Sequence, residues 1–233
     1  MADKVHYYAP ILGKRIRVTP LDACGRVDKS KKAVVTSGFV SISLGTETED
    51  GTEITVKRAD GSVCISDKQA NTFKYFTAEI EFCGVNPALL ALVSNAQEYK
   101  DEAGDIAGFT YAEGKIDKKF ALEIWTGLAG QSCVEGADEA SGYLLLPYVN
   151  AGIPGDISID GENAVSFPMK DAVTKTGNAW GKGPWNVVKT SAGQAAPLPT
   201  ALTPKEHLLM LDTALKVPDA SDQPIAIPAM PGG

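Results

Sequence analysis

Apolar and polar residues alternating at period two, interrupted every few positions by Gly, Pro, Asp or Asn, constrain this chain more than any other feature. The run Val34 to Leu44 sets Val34, Val40, Ile42 and Leu44 on one face and Ser37, Ser41 and Ser43 on the other, which predicts a half-buried strand. It ends at Gly45 and a polar stretch through Thr46, Glu47, Thr48, Glu49, Asp50 and Gly51. Strands are expected next at 53–57 and 63–65 across an Asp60-Gly61 turn, and the clearest one runs from Phe73 to Phe82. On that strand Phe76, Ala78, Ile80 and Phe82 share one face, and Thr77, Glu79 and Glu81 share the other.

Further strands are predicted at 106–112, 120–125, 143–149, 157–159 and 165–173. Two helices interrupt the pattern. Asn86-Pro87 supplies an N-cap and a first-turn proline ahead of Leu89, Leu90, Leu92 and Val93. Thr203-Pro204-Lys205-Glu206 reads as a capping box before Leu208, Leu209, Leu211 and Leu215, which predicts a helix over 203–216. Many short strands with little helix define a mainly-β chain built from two packed antiparallel sheets, with a short flanking helix and extended terminal arms. The expected organisation is a basic amino-terminal arm and first strand over 1–30, a β-sandwich over 31–190, and an Ala/Pro-rich carboxy-terminal arm over 191–233.

Charge narrows the partners. The net charge of −7 has the wrong sign for a protein that grips nucleic acid through its phosphates. It is also unevenly spread: residues 1–32 hold eight basic residues against Asp3, Asp22 and Asp28, and the rest of the chain holds 14 basic against 26 acidic. A basic segment beside an acidic body suits docking on a neighbouring copy, or simply solvation. No run of 18 apolar residues occurs, and residues 1–6 lack the apolar stretch of a secretory signal, so membrane spanning and signal-directed secretion are not expected.

The motifs that would carry catalysis are incomplete. Cys24, Cys64, Cys83 and Cys133 form no C-x-x-C pair and are read as reduced thiols, with Cys83 in the core. His6 and His207 are the only histidines, both in terminal segments, which leaves little for a His-activated nucleophile. Gly177 to Lys182 has three residues between its glycines instead of four and no Ser or Thr after the lysine, so it is not a phosphate-binding loop. Asp156 to Phe167 opens like a calcium loop but has Phe167 where the bidentate glutamate belongs, so Asp160-Gly161 reads better as a hairpin corner. Glu79 and Glu81 share one wet face and lack the distinct environments of a glycosidase pair. No catalytic, cofactor or metal residue is expected.

Several features, in order, resemble the major tail tube proteins of long-tailed, siphovirus-type bacteriophages, particularly those of actinobacterial hosts. They are the basic segment through Lys14-Arg15-Ile16-Arg17-Val18, the strand from Val34 to Leu44 with its polar hairpin, the block from Phe73 to Leu90, and the turn Trp180-Gly181-Lys182-Gly183-Pro184-Trp185. The resemblance spans most of residues 10–190. It implies hexameric rings whose inner strands join into a channel-lining barrel, with the rings stacked into a tube in the virion tail that conducts DNA into the host without binding it specifically. The implied partners are further copies of the chain, a tape measure protein during assembly in the host cytoplasm, and tail terminator and distal tail proteins.

On this resemblance Glu79, Glu81 and Thr77 are the candidates for lining the lumen. Lys14, Arg15, Arg17, Glu47, Glu49 and Asp50 are the candidates for contacts between rings, with residues 45–72 as the reaching hairpin. Residues 191–233 are too few for an appended immunoglobulin-like sandwich of roughly 100 residues. A second class of function is a monomeric carbohydrate-binding or adhesion module that uses Trp180 and Trp185 as a stacking platform.

Overall fold

The computed structural model describes residues 10–84, 86–128, 140–157, 159, 165–221 and 223–229. The first half of the chain forms β1 (Pro10–Pro20), β2 (Lys32–Thr36), β3 (Phe39–Glu49), β4 (Glu53–Lys57), β5 (Val63–Lys68), β6 (Thr72–Cys83), α1 (Pro87–Val93), β7 (Gln97–Lys100) and β8 (Ile106–Thr110). The second half forms β9 (Lys119–Leu128), β10 (Ser141–Asn150), β11 (Ile153–Pro154), β12 (Ser166–Thr174), β13 (Val188–Lys189), β14 (Ala195–Ala196), β15 (Leu209–Thr213) and β16 (Ile225–Ala226). Among the described residues strand accounts for 51% and helix for 3%, so the chain is mainly β.

One antiparallel network of order β16-β2-β1-β9-β10-β12-β6-β3 carries the fold. It is close to two sheets. β10 gives the edge of Ser141–Leu145 to β15 and joins β12 through two residue pairs alone, Val149 with Thr174 and Asn150 with Val173. At that corner the network turns over on itself, so Ile16, Val18, Leu122 and Leu146 from one wing share a core with Ala78, Ile80, Phe82 and Met169 from the other. The expected packing of two sheets is thus met by two wings joined at one corner.

Helix α1 closes one end of this core. The Asn86 side chain accepts a hydrogen bond from the Ala88 amide, Pro87 stands in the first turn, and Ala88, Leu89, Leu90 and Val93 are buried. A second core lies on the opposite face of the β1–β9–β10 wing, where Ala121, Trp125, Tyr143 and Leu145 meet Trp180, Trp185, Val187 and Leu198. Strand β9 is therefore covered on both faces, which explains its unbroken apolar texture.

Four sequence expectations need correction. The strand from Val34 to Leu44 breaks at Ser37-Gly38, where Thr36 Oγ1 accepts from the Gly38 amide at 2.9 Å and Gly38 accepts from the Cys83 amide at 2.9 Å. A register slip between Phe39 and Ser41 then turns Val40 outward, 58% exposed. Cys83 is exposed rather than in the core, because it follows the buried Phe82 on the outward side of β6.

Residues 203–216 do not form a helix. The Glu206 carboxylate does reach back to the Thr203 amide at 2.5 Å, but the turn closes there and the chain continues as β15. Leu208 packs into the first core while Leu209 and Leu211 pack into the second, a period of two imposed by the open edge of β10. Ile157 and Ile159 lie outside any strand. Residues 1–9, Cys133 and the Asp160-Gly161 corner lie outside the described residues.

Candidate functional site

The outer face of the β3–β6 ladder is polar along its length. Ser41 stands opposite Glu81, Ser43 opposite Glu79, Gly45 opposite Thr77 and Glu47 opposite Tyr75. The intervening pairs, Ile42 with Ile80 and Leu44 with Ala78, point into the core. Thr77, Glu79 and Glu81 thus share one face, as their spacing predicts; Glu79 is exposed, and Thr77 and Glu81 are half-buried. Neither carboxylate has a hydrogen-bond or ion-pair partner among the described residues.

Small side chains keep this face smooth, and a methyl at Gly45 would strike Thr77 Oγ1. On the next strand a register shift between Met169 and Ala172 sets Lys170 and Asp171 beside Glu79, with Asp171 at φ 57°. The cations at its margins face carboxylates, Lys170 with Asp156 at 3.8 Å and Lys74 with Glu49 at 3.6 Å.

Beside this face the network ends. β3 is its last strand, so eleven residues from Phe39 to Glu49 present an edge that no described strand pairs. Natural edges are blunted by brevity, proline, charged side chains or bulges; β3 is long and has no lysine or proline, and its two register shifts and its charges, Glu47 and Glu49, fall at its ends, which leaves Ser41 to Thr46 unprotected. Its far end runs into the hairpin of β4 and β5, exposed at every residue of both strands. Glu47, Glu49 and Asp50 stand exposed at the hairpin's root, where Asn71 donates to Asp50 Oδ1 at 2.9 Å and accepts from the Gly51 amide at 3.1 Å. At the tip, hydrogen bonds from the Ser62 hydroxyl and amide hold the Asp60 pKa below its usual value.

Arg17 is not available to a neighbour, contrary to its expected place between rings. It is 5% exposed and pairs in two-pronged fashion with Glu123, Nε to Oε2 at 2.6 Å and Nη2 to Oε1 at 2.5 Å. Tyr143 donates its hydroxyl to Glu123 Oε1 at 2.8 Å, and burial together with the Glu123 charge pushes the Tyr143 pKa well up. The guanidinium lies 4.9 Å from the Trp125 ring centroid and 4.0 Å from that of Trp185, whose indole donates to Thr19 Oγ1 at 3.0 Å. Lys14 and Arg15 are half-buried on the same strand.

This cluster also disposes of the stacking platform, since Trp180 is 1% and Trp185 8% exposed. One signal in the sequence points to it: Glu123 is a lone carboxylate inside the apolar run Phe120–Trp125, and a buried charge requires a partner.

Cys24, Cys64 and Cys83 are free, exposed thiols. Among the described residues no group of three or more His, Cys, Asp or Glu could hold a metal ion, and no helix is long and apolar enough to cross a membrane. The chain matches no family model and no curated protein.

Proposed function

We propose that this chain is a structural virion subunit: copies join into hexameric rings, and the rings stack into a phage tail tube that conducts DNA during ejection. The observation that carries this reading is the open β3 edge lying directly beside the polar face of β3 and β6. A long strand with free amides and carbonyls calls for another strand, and pairing it with the next copy around a ring removes the edge altogether. Closure of this kind turns the face with Thr77, Glu79 and Glu81 into a continuous wall. The number six and the implied tape measure, terminator and distal tail partners come from the resemblance described above.

The chemistry of that wall fits passage rather than binding. Each lysine or arginine set against a phosphate releases counterions and adds affinity, and friction with it. Carboxylates on a smooth wall repel the duplex, and the neutral hydroxyls between them add no cation to hold it, which leaves it sliding through screened water. Sedimentation velocity of the purified chain over a range of concentrations tests the reading: ring-sized and larger species that grow with concentration support it, and a monomer at every concentration overturns it.

A further inference from the structure

A groove of about 690 Å³ opens at the end of the first core that α1 closes. Val34 of β2, Ala88, Ala91 and Leu92 of α1, Ala96 and Ile106 of β8 give it an apolar lining. Its volume falls in the range of small-molecule sites. Among the described residues that line it there is no aromatic ring, hydroxyl or imidazole, and Gln97 and Gln223 are the only uncharged polar side chains. The groove therefore lacks the groups that orient a sugar or a planar ring, and offers mainly hydrocarbon.

Lysines from three separate elements rim it. Val34 and Phe120 are buried in the first core, and Lys32 and Lys118 lie two residues ahead of them, so period two turns both lysines to the side that α1 covers. The Ala151 amide donates to the Lys118 carbonyl at 2.9 Å, which continues the β9–β10 ladder through this position. Lys100, at the end of β7, lines the same groove. These three lysines have no carboxylate partner among the described residues, whereas Lys31 pairs with Asp28 at 3.3 Å and Lys119 with Asp117 at 3.2 Å. Glu98 is the one further acidic residue among the described lining. On a chain of net charge −7, three uncompensated ammonium groups around an apolar trough call for an anion.

A hydrocarbon chain that ends in an anion matches both halves of this arrangement. A short acid would leave the apolar lining wet, and an alcohol would leave the ammonium groups without a counter-charge. The edge of β2 beside the groove is already paired by β16, Ile225 with Ala33 and Ala226 with Lys32, so a peptide finds no strand of β2 to extend. Lysine stems also lie well on hydrocarbon while their heads hold an anion at the rim. We propose that the groove beside α1 binds a long-chain carboxylate, with the alkyl chain along Ala88, Ala91 and Leu92 and the head group among Lys32, Lys100 and Lys118. The site is complete within one copy and does not depend on the assembly reading.

Titration calorimetry of the purified chain with dodecanoate, kept below its micelle-forming concentration, tests this. Uptake should saturate at one molecule per chain, while dodecyltrimethylammonium, with the same chain and a cationic head, and butanoate, with the same head and a short chain, are not taken up. Lys32→Glu with Lys118→Glu, both at exposed positions, should weaken uptake by about tenfold or more. Ala91→Phe, at a half-buried position in the lining, should fill the groove and abolish it. Urea unfolding shows whether each variant is folded; if Ala91→Phe is not, the two head groups and the lysine pair decide the matter. No saturable uptake, equal uptake of both head groups, or full affinity in the lysine pair overturns the proposal. If dodecanoate is refused while the lysine pair lowers the sedimentation coefficient, a second copy fills the groove, and the proposal falls with the assembly reading left standing.

Discussion

Replacing Glu123 with alanine separates the stability of the second core from assembly. The change strips Arg17 of its only carboxylate partner among the described residues, in a site where the side chains are 6% and 0% exposed. Removing one member of a buried ion pair costs about 3–5 kcal/mol, because the other charge stays buried and uncompensated. The Tyr143 hydroxyl also loses its acceptor, adding roughly 1 kcal/mol, while the two indoles against the guanidinium remain in place. The expected loss of about 4–6 kcal/mol is a large part of the roughly 5–15 kcal/mol that a folded chain commonly has. Replacing all three groups together, Arg17→Met, Glu123→Leu and Tyr143→Phe, leaves no buried charge and keeps stability within about 2 kcal/mol of the parent. Urea unfolding followed by tryptophan fluorescence reports both, since Trp125 and Trp185 flank the site. A loss under about 1 kcal/mol for the alanine variant, or equal losses for the single and triple variants, would refute the argument.

Burial lowers the His207 pKa from 6.5, so the folded chain favours a neutral ring, whose Nδ1 shares a hydrogen bond with Thr174 Oγ1 at 2.7 Å. The unfolded chain then binds the extra proton just below that value, so this contribution is complete above about pH 6.5 and is lost as pH falls through the window. His207→Phe should flatten the decline in unfolding midpoint, and equal slopes in both proteins would show that another group is responsible. Gly183 has φ 76°, and a Cβ there would lie 2.5 Å from Trp180 Nε1, so Gly183→Ala should cost roughly 1–3 kcal/mol in the same urea assay. Glu79→Lys with Glu81→Lys should leave the fold intact and make assembled tubes retain duplex DNA in a salt-dependent way; tubes that release it as readily as the parent would place these residues off the lumen wall.

Local patterning made some elements legible and tertiary pairing decided others. Period two placed Thr77, Glu79 and Glu81 on one face because a residue's face on a strand follows from its parity. Asn86-Pro87 announced α1 because an N-cap and a first-turn proline act within one turn. Leu208 to Leu215 carried helical spacing and a capping box, yet the free edge of β10 recruited Leu209–Thr213 as a strand, which no window of sequence reveals. Arg17 looked like one more cation of a basic arm, since its partner Glu123 lies 106 residues away and brings no local signature. Val40 shows how a one-residue register slip at a bulge sends an apolar side chain outward.

Electron microscopy of the purified, unmodified chain tests the assembly account most directly. The account predicts hollow rings that stack at higher concentration into tubes of uniform width, with a stain-filled channel wide enough to pass a DNA duplex. Discrete monomers under the same conditions, or solid fibres without a channel, would contradict it.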